Sequence, residues 1–401
     1  MDQIRYLVGD ATVEKKSSNQ LNTGMLVPFS DLVCEFLGSL SKKIMESDRA
    51  KKYQDVVSLG FWCRKANIKR MKERNVDSGL RIGRGLAFHI APSNVPINTF
   101  YSLFLGLLAG CKNIVRTSSK EFPQIELVAD YINELIRTDY LGLREYIYVV
   151  QYDRKSEWTE YFSSKCLVRI IWGGDDTIKE VGHDIVNPRC KELKFADRYS
   201  FAIIDFNQLY KSDDAVIKKL AHDFYNDTYL NDQNACSSPH LILWYKCGTD
   251  SKEVKKKFWD AVYEESLKYN LEDIKSMEKY TALCDEVMSF NRVNSVDRYG
   301  NRLYVCKLNG IPDDVEFLRG KFGVFYEYDI SDMQEIFRKL TTKTQTCLYF
   351  GNIREKVTES ICREGISGID HVVPFGKSLD ISEIWDGYNI IDEMTRVIKF
   401  E

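Results

Sequence analysis

The chain has 401 residues, of which 44% are hydrophobic and 12% aromatic, and its formal net charge is only −3. This length allows two domains with cores of their own, and this composition excludes an intrinsically disordered chain. Because acidic and basic residues are mixed and nearly balanced, the sequence also lacks the basic stripe that is typical of a nucleic-acid-binding protein.

Membrane, export and metal signals are missing from the sequence. No run of about 18 apolar residues occurs, so we expect no membrane span, and the first residues do not have the layout of a signal peptide. The 11 cysteines are scattered without CxxC or zinc-finger spacing, and the five histidines form neither HxH nor HExxH pairs. We therefore expect a cytoplasmic protein with reduced thiols, no disulfide framework and no metal site.

Helices and strands alternate after an N-terminal part with two predicted helices, Leu26 to Met45 and Val56 to Arg74. Nearly unbroken apolar strands are predicted at 85–91, 113–117, 146–150 and 167–172, with helices at 97–109, 122–136 and 157–163 between them. This pattern predicts a parallel sheet that is covered on both faces, with ligands bound beyond the carboxyl ends of its strands.

A second α/β alternation follows. Strands are predicted at 200–205, 241–244, 302–307, 323–328 and 347–350, and helices at 211–225, 252–269, 271–290, 330–340 and 390–398. We therefore predict an α/β protein with two Rossmann-like domains, one formed by residues 1–205 with a tail of about 385–401, and one by residues 206–384.

Cys236 is the candidate nucleophile. It lies in the polar stretch from Asn231 to His240, directly before the apolar run Leu241 to Trp244. A thiol on a turn of small residues ahead of a buried strand is rigidly held and still reachable, as a nucleophile must be. The competing interpretation is a packing residue, which is what most cysteines are.

Asn94 could assist this thiol. It lies in the turn Pro-Ser-Asn-Val-Pro at residues 92–96, which follows a predicted strand. Acyl chemistry on a cysteine needs donors directed at the developing oxyanion, and the Asn94 amide together with the Cys236 backbone N–H would supply two.

These motifs resemble known enzymes. The segment His89 to Glu121 is similar to the aldehyde dehydrogenase superfamily, and over roughly residues 80 to 390 the chain more narrowly resembles the acyl-CoA reductases of the bacterial bioluminescence operon (LuxC-like). The motifs that carry the narrower resemblance are His89 to Pro96, Trp172 to Asp175, Cys236 to Pro239 and Gly368 to Gly387. The resemblance implies an aldehyde dehydrogenase-like fold with an NADP-binding domain and a catalytic cysteine domain.

The same resemblance assigns cofactor residues. Arg116 lies where the superfamily has a lysine that faces the adenosine ribose, and Gly173 and Gly174 lie where a helix N-terminus meets the pyrophosphate. NAD-preferring members have a glutamate at the position of Ser119. A carboxylate would repel a 2′-phosphate, whereas Arg116, Ser118 and Ser119 could bind one, so we expect NADPH rather than NADH.

A general base is missing from the expected place. Hydrolytic members have a glutamate in a Leu-Glu-Leu-Gly-Gly motif, and the matching position here is Lys194. Without a base that activates water, a thioester on Cys236 would survive until it is reduced. Two alternatives stay open: Glu192 as a displaced base, and His240 as a group that lowers the pKa of the thiol.

The resemblance implies that the protein reduces an acyl-CoA or acyl-protein thioester, long-chain in that family, to an aldehyde. It also implies an acyl-protein synthetase as a partner, and we further expect a homo-oligomer. The alternative functions are a hydrolytic aldehyde dehydrogenase that forms acid, and a non-catalytic subunit of an acyl-activating complex. Intact Cys236 and Asn94 argue against the second of these, because such a subunit needs neither.

Overall fold

The computed structural model describes residues 3–75, 80–93, 95–248, 251–289 and 292–400. The chain divides into two compact units, the first formed by residues 1–196 with 381–401 and the second by residues 197–380. The sequence places these boundaries near 205 and 384. The difference at the first boundary moves a whole strand, because the strand that ends at Asp205 pairs with strands of the second unit.

The first unit begins with nine helices and seven strands within its described residues 3–196. They are β1 (Arg5–Val8), α1 (Thr12–Lys15), α2 (Ser18–Leu21), α3 (Asp31–Glu46), α4 (Gln54–Trp62), α5 (Lys65–Arg74), β2 (Leu80–Gly83), β3 (Leu86–Ile90), α6 (Asn98–Leu108), β4 (Lys112–Arg116), α7 (Pro123–Arg137), β5 (Ile147–Gln151), α8 (Trp158–Lys165), β6 (Val168–Trp172), α9 (Asp175–Gly182) and β7 (Lys191–Phe195).

The second unit contains six further helices and seven further strands within its described residues. They are β8 (Tyr199–Asp205), α10 (Phe206–Tyr210), α11 (Asp214–Thr228), β9 (Pro239–Tyr245), α12 (Ser251–Ser266), α13 (Asp273–Ser289), β10 (Val293–Tyr299), β11 (Leu303–Leu308), β12 (Val324–Ile330), α14 (Gln334–Phe337), β13 (Thr344–Phe350), α15 (Arg354–Glu364) and β14 (His371–Pro374).

The C-terminal segment returns to the first unit with β15 (Ile384–Trp385), β16 (Tyr388–Asn389), α16 (Ile390–Met394) and β17 (Thr395–Ile398). The helix predicted over 390–398 is therefore wrong in its second half. There the chain is extended and pairs antiparallel with β2. The β-branched side chains of Thr395, Val397 and Ile398 favour a strand once a partner is present.

The sheet of the first unit has the strand order β1-β5-β4-β3-β6-β7. All its neighbours are parallel except β1, which pairs antiparallel with β5. The chain proceeds outward from β3 through β4 to β5 and then returns to the other side of β3 with β6. This reversal places the residues that follow β3, β4 and β6 along one edge of the sheet, which is where α/β sheets bind ligands.

The sheet of the second unit has the order β10-β11-β12-β9-β8-β13-β14, and only β10 is antiparallel to its neighbour. Both of its faces are buried. In β9, Ile242 and Trp244 pack into one hydrophobic cluster, whereas Leu241, Leu243 and Tyr245 pack into the other. Burial on both faces explains why this strand is apolar at every position except His240.

One predicted helix is largely absent. The sequence predicts a helix over 330–340, but β12 continues to Ile330, which pairs with Tyr245 of β9, and only Gln334–Phe337 is α-helical. Ladder pairing removes only Ile330 from the predicted helix, and residues 331–333 and 338–339 form bends and turns on either side of α14. The predicted fold class, α/β with two mainly parallel sheets, is confirmed.

Candidate active site

Cys236 lies in the turn that leads from α11 into β9. After α11 the chain passes through a short 3₁₀ helix, Tyr229–Asn231, and then through a polar turn that ends at Ser238. The Cys236 side chain is partly exposed. It stands three residues before the buried strand β9, which anchors the end of the turn.

Two of the residues that precede Cys236 in this turn have a strained backbone conformation. Asp232 and Gln233 have φ angles of 54° and 61°, in the left-handed region that few non-glycine residues adopt. The buried Gln233 side chain donates to Val324 O over 2.9 Å and accepts from Gly323 N over 3.1 Å. The Asp232 carboxylate accepts from Tyr269 OH and, over 3.0 Å, from Lys275 Nζ. The turn is therefore fixed by side chains and does not depend on its own sequence propensity.

The other side of the turn is held by serine hydroxyls. Ser200 Oγ donates to the Cys236 carbonyl oxygen over 2.6 Å and accepts from Thr346 N over 3.2 Å. Ser238 Oγ donates to the Asp227 carbonyl oxygen over 2.6 Å. These bonds attach the backbone on both sides of the thiol to β8, β13 and α11.

His240 is a core residue. It is only 5% exposed, its ring stacks on Tyr199 with a centroid distance of 5.7 Å, and its Nδ1 lies 3.4 Å from Gln233 Nε2. Burial, together with the nearby Arg319 guanidinium, lowers the pKa of His240 to about 3. The imidazole is therefore neutral at physiological pH and supplies no positive charge to a thiolate.

Asp227 connects the Cys236 turn to the segment after β14, which is a link that we did not predict. Its buried carboxylate accepts from Gly376 N over 2.6 Å, from Ser378 N over 3.0 Å and from Ser378 Oγ over 2.9 Å. Burial raises the pKa of Asp227 to about 7, although these three donors oppose the shift. Asp227 and Gly376 are too far apart in sequence for any local pattern to indicate the contact.

Arg116 ends β4 at the ligand-binding edge of the first sheet. Its guanidinium lies over the Tyr152 ring, 5.5 Å from the centroid, and donates to Tyr152 O across a long 3.5 Å. Its Nε is buried and has no hydrogen-bond partner among the described residues, and burial lowers the pKa of the group. A partly buried cation with an unmet donor fits a site whose anionic partner is a ligand.

Ser118 and Ser119 follow Arg116 at the same edge. Ser118 is buried and its Oγ accepts from Lys120 N over 3.2 Å, while its carbonyl oxygen accepts from Gln151 Nε2 over 2.6 Å. Ser119 is exposed. The hydroxyl of Ser119 is thus the more accessible of the two.

Gly173 and Gly174 connect β6 to α9. Gly174 caps α9 without any side-chain hydrogen bond, and a Cβ added to it would meet no atom within 4 Å. The space beside Gly174 at the N-terminus of α9 is therefore open, as an anion site requires. Asp175 and Asp176 in the first turn of α9 are a departure from such a site, because their carboxylates oppose a bound diphosphate.

Glu192, the candidate displaced base, belongs to an ion-pair network with Arg169 and with Lys194, the residue at the position of the missing base. Glu192 lies on β7 opposite Arg169 of β6 and accepts from the buried Arg169 Nε over 2.8 Å, while Lys194 Nζ lies 3.3 Å from Glu192. Burial alone would raise the pKa of Glu192, but the hydrogen bonds and charge of Arg169 outweigh it and lower that pKa. Glu192 is therefore an ionised structural partner and is poorly suited to accept a proton.

Asn94, the predicted oxyanion residue, lies outside the described residues, so its role stays a prediction. In the described part of the chain, no three His, Cys, Asp or Glu side chains converge as a metal ion would need. Every helix among the described residues is too short or too polar to span a bilayer.

Comparison with known proteins identifies a family. A family model described as acyl-CoA reductase (LuxC) matches residues 35–397, whereas no curated protein matches the chain. The matched range includes both units and the candidate residues Cys236, Arg116 and Gly174.

Solved structures with the same fold are aldehyde dehydrogenases. Aldehyde dehydrogenase 21 from Physcomitrella patens is similar with a TM-score of 0.65 at 12% identity, over 92% of this chain and 85% of that one. A NAD-dependent aldehyde dehydrogenase from Sinorhizobium meliloti gives 0.62 at 12% identity, over 91% and 80%. A NAD-dependent benzaldehyde dehydrogenase from Corynebacterium glutamicum gives 0.61 at 12% identity, over 98% and 94%.

At this identity the structural likeness shows the fold alone, and the predicted aldehyde dehydrogenase-like fold is confirmed. The family match supplies the activity class, because it extends over most of the chain. The resemblance found in the sequence is confirmed as well: the chain belongs to the LuxC family of acyl-CoA reductases, which are oxidoreductases.

Proposed function

We propose that the protein reduces an acyl-CoA or acyl-protein thioester to an aldehyde, with Cys236 as the nucleophile and NADPH as the cofactor. The observation that carries this proposal is the Cys236 turn. A partly exposed thiol is held on both sides by buried hydrogen bonds, while the two candidate bases are occupied elsewhere. His240 is neutral and buried, and Glu192 is paired with Arg169.

In the first step the Cys236 thiolate attacks the carbonyl carbon of the thioester. A new C–S bond forms, the carbonyl oxygen gains negative charge, and the bond to the leaving thiol breaks when that charge collapses. We propose that the Cys236 backbone N–H and the Asn94 side-chain amide stabilise the oxyanion. The product of this step is an acyl group on Cys236.

NADPH, when bound, supplies the hydride that reduces this acyl group. For the cofactor we propose Arg116, Ser118 and Ser119 at the 2′-phosphate, and Gly173 and Gly174 at the pyrophosphate. The partly buried Arg116 cation with its unmet Nε donor supports the first assignment, and the open space beside Gly174 supports the second. The aldehyde then leaves and the Cys236 thiolate is restored.

Water must stay out of this cycle, since hydrolysis would turn the acyl group into an acid. Hydrolysis of a thioester at neutral pH is slow unless a base activates the water. The position of a hydrolytic glutamate is occupied by Lys194, whose ammonium group is paired with Glu192. A reductase that releases aldehyde follows from this chemistry.

The direct test combines acyl-CoAs of graded chain length with NADPH and follows loss of reduced nicotinamide together with aldehyde formation. Long-chain fatty acyl-CoAs are the expected substrates. Without NADPH, mass spectrometry of the intact protein should detect one acyl group on Cys236. We expect Cys236→Ala to lose the acyl adduct and about a thousandfold or more of the turnover.

Cys362→Ala is the matched control, since Cys362 is an exposed thiol in α15 outside the proposed site. It should retain both the adduct and the turnover. Turnover that survives in Cys236→Ala, or formation of acid in place of aldehyde, would contradict the proposed function.

The preference for NADPH has its own test at Ser119. Ser119→Glu places a carboxylate where we propose the 2′-phosphate, so the KM for NADPH should rise about tenfold or more while the KM for NADH changes little. Ser119→Ala removes the hydroxyl without adding charge and should have a much smaller effect. An equal change in the KM for NADPH and the KM for NADH in Ser119→Glu would contradict this assignment.

An acyl-protein synthetase as the donor of the acyl group, and assembly into a homo-oligomer, also remain proposals. Sedimentation velocity of the purified protein, alone and mixed with a candidate acyl-carrying protein, checks both. A monomer that binds no such protein would contradict them without affecting the acyl-CoA reaction.

A further inference from the structure

Two cysteines that are distant in sequence lie side by side in the first unit. Cys166 follows α8, and Cys190 directly precedes β7. Their sulfur atoms are 3.7 Å apart. The parallel pairing of β6 with β7 brings them together, with Lys191 N donating to Leu167 O over 3.0 Å between the two cysteine positions.

The two thiols differ in accessibility and in acidity. Cys166 is fully buried, whereas Cys190 is partly exposed. The two sulfur atoms share a hydrogen bond in which either thiol can donate; with Cys166 as the donor, this bond lowers the pKa of the Cys190 thiol and raises that of Cys166. The guanidinium of Arg169, itself buried, favours the Cys190 thiolate further. An accessible thiol with a lowered pKa beside a second thiol is the arrangement of reactive redox cysteines.

We propose that Cys166 and Cys190 form a dithiol site that peroxide oxidises to a reversible disulfide. The Cys190 thiolate attacks hydrogen peroxide, which breaks the O–O bond, gives a sulfenic acid at Cys190 and releases hydroxide. The Cys166 sulfur then attacks the Cys190 sulfur, the S–O bond breaks, and the oxygen leaves as water with the thiol proton. Overall, two thiols lose two electrons and two protons to one peroxide, which becomes two waters.

The required movement is small. The sulfur atoms must approach from 3.7 Å to the S–S bond length of about 2.05 Å. The other contacts that they lose are weak sulfur hydrogen bonds, from Cys166 Sγ to Ser163 O over 3.3 Å and from Cys190 Sγ to Lys191 O over 3.6 Å. Both cysteines lie at segment ends and not inside a strand, so the backbone can adjust.

The disulfide would close a loop of 24 residue steps that contains β6, Gly173, Gly174 and all of α9. A crosslink at the two ends of this segment reduces its freedom to open. If Gly173 and Gly174 bind the pyrophosphate, a point that rests on the proposed function, oxidation acts on the cofactor-binding segment. The dithiol itself does not depend on that assignment.

The experiment exposes the full-length protein to hydrogen peroxide in slight excess and digests it with trypsin without reduction. We expect a peptide of residues 166–169 linked to residues 190–191, which disappears with dithiothreitol. A maleimide count in denaturant should find two fewer thiols than in the reduced protein. The same result is expected in Cys236→Ser, because the linkage does not involve the proposed nucleophile.

Single variants assign the two roles. In Cys166→Ala, peroxide should leave a sulfenic acid at Cys190 that dimedone traps, whereas in Cys190→Ala residue 166 should stay unlabelled. Cys362→Ala, which removes an unrelated exposed thiol, should still form the 166–190 link. Absence of that link in the wild type, or a link from Cys190 to another cysteine, would overturn the proposal.

The crosslink should also be measurable without any substrate. The oxidised protein should melt about 5 °C higher than the reduced form, and amide hydrogen exchange over residues 173–182 should slow several-fold. Unchanged exchange there would refute the restraint on α9 even where the linked peptide is found. Neither measurement depends on acyl-CoA or NADPH, so failure here is distinct from failure of the proposed function.

Discussion

Burial changes the protonation of two side chains around the Cys236 turn in opposite directions. It lowers the pKa of His240 to about 3 and raises that of Asp227 to about 7. In both cases burial stabilises the neutral form of the side chain relative to the charged form, because a poorly solvated charge is costly. His240 therefore carries no charge near neutral pH, while Asp227 titrates there. The hydroxyl of Ser378 can either donate to the Asp227 carboxylate or accept from the protonated acid, so both forms keep their contact.

Asp227 makes the stability of the protein depend on pH. Its folded pKa of about 7 lies above the ordinary value of 3.8, so the folded chain holds a proton that the unfolded chain has lost. The stabilisation is complete below pH 3.8 and is lost as pH rises to about 7, to a total of at most about 4 kcal/mol. We expect the difference in free energy of unfolding between wild type and Asp227→Asn to fall over this range and to level off above it.

Urea titrations at several pH values measure this difference. Asp214→Asn, which removes an exposed carboxylate from the first turn of the same helix α11, is the control. A difference that stays constant from pH 4 to pH 8 would show that Asp227 does not titrate in this range.

Substitution of Gly174 tests cofactor binding separately from folding. Its φ of −66° suits any residue and a Cβ there meets nothing, so Gly174→Ala should change stability by no more than about 1 kcal/mol. The new methyl group would occupy the space in front of the α9 N-terminus, and NADPH affinity should fall about tenfold. Gly182→Ala, at the other end of α9 with equally open surroundings, should leave affinity unchanged. Fluorescence titration with NADPH compares them; equal affinities would rule out the assigned phosphate position.

At the scale of elements, the Cys236 turn is held by tertiary contacts. Gln233 satisfies the Gly323 N–H and the Val324 carbonyl at the start of β12, and it is buried. Two backbone groups of a neighbouring strand thus determine the shape of the loop that carries the thiol. The left-handed φ of Asp232 and Gln233 persists because these bonds offset its cost.

Gln233→Leu should therefore weaken both the fold and the reaction. It leaves two buried polar groups without partners, which costs about 2 kcal/mol or more, and it releases the turn, so that kcat for acyl-CoA reduction should fall about tenfold or more. Asn234→Ala, an exposed neighbour in the same turn, should stay within about 0.5 kcal/mol of wild type. Denaturant unfolding and steady-state kinetics measure the two effects. A Gln233→Leu protein with normal stability would refute the anchoring role.

At the scale of the whole molecule, the second unit is one continuous segment with a core on each face of its sheet. The first unit is interrupted, because its last strand β17 pairs with β2 from the other end of the chain. Only the second unit therefore contains all of its own strands in one stretch of sequence. A domain that includes its entire core is expected to fold alone.

We expect residues 197–380, produced alone, to unfold cooperatively in guanidinium and to keep an alkylatable Cys236. The fragment 206–384, cut at the boundaries that the sequence suggests, should not fold. It lacks β8, which lies between β9 and β13 in the middle of the sheet. Circular dichroism during denaturation distinguishes them. Equal cooperativity in the two fragments would contradict the boundary at residue 197.

The sequence predicts the central strands well for a physical reason. Strands such as β6 and β9 are buried on both faces, so every position except Arg169 and His240 is apolar and the pattern is visible locally. Strands such as β7 and β17 can be recognised only from their pairing in the structure, because their polar side chains face solvent or form ion pairs. The helix predicted over 330–340 is too long because Ile330 belongs to β12 and the residues on either side of α14 form bends and turns.

The sequence by itself determined the α/β class, the family and the candidate thiol, since these depend on local patterns of apolar strands, glycines and a turn around Cys236. Only the tertiary structure decided that His240 is a neutral core residue, that Glu192 belongs to Arg169, that Asp227 joins two distant segments, and that Cys166 lies beside Cys190. Each of these depends on burial or on contact between residues far apart in the chain. Desolvation and long-range pairing are properties of the packed molecule, and no short stretch of sequence encodes them alone.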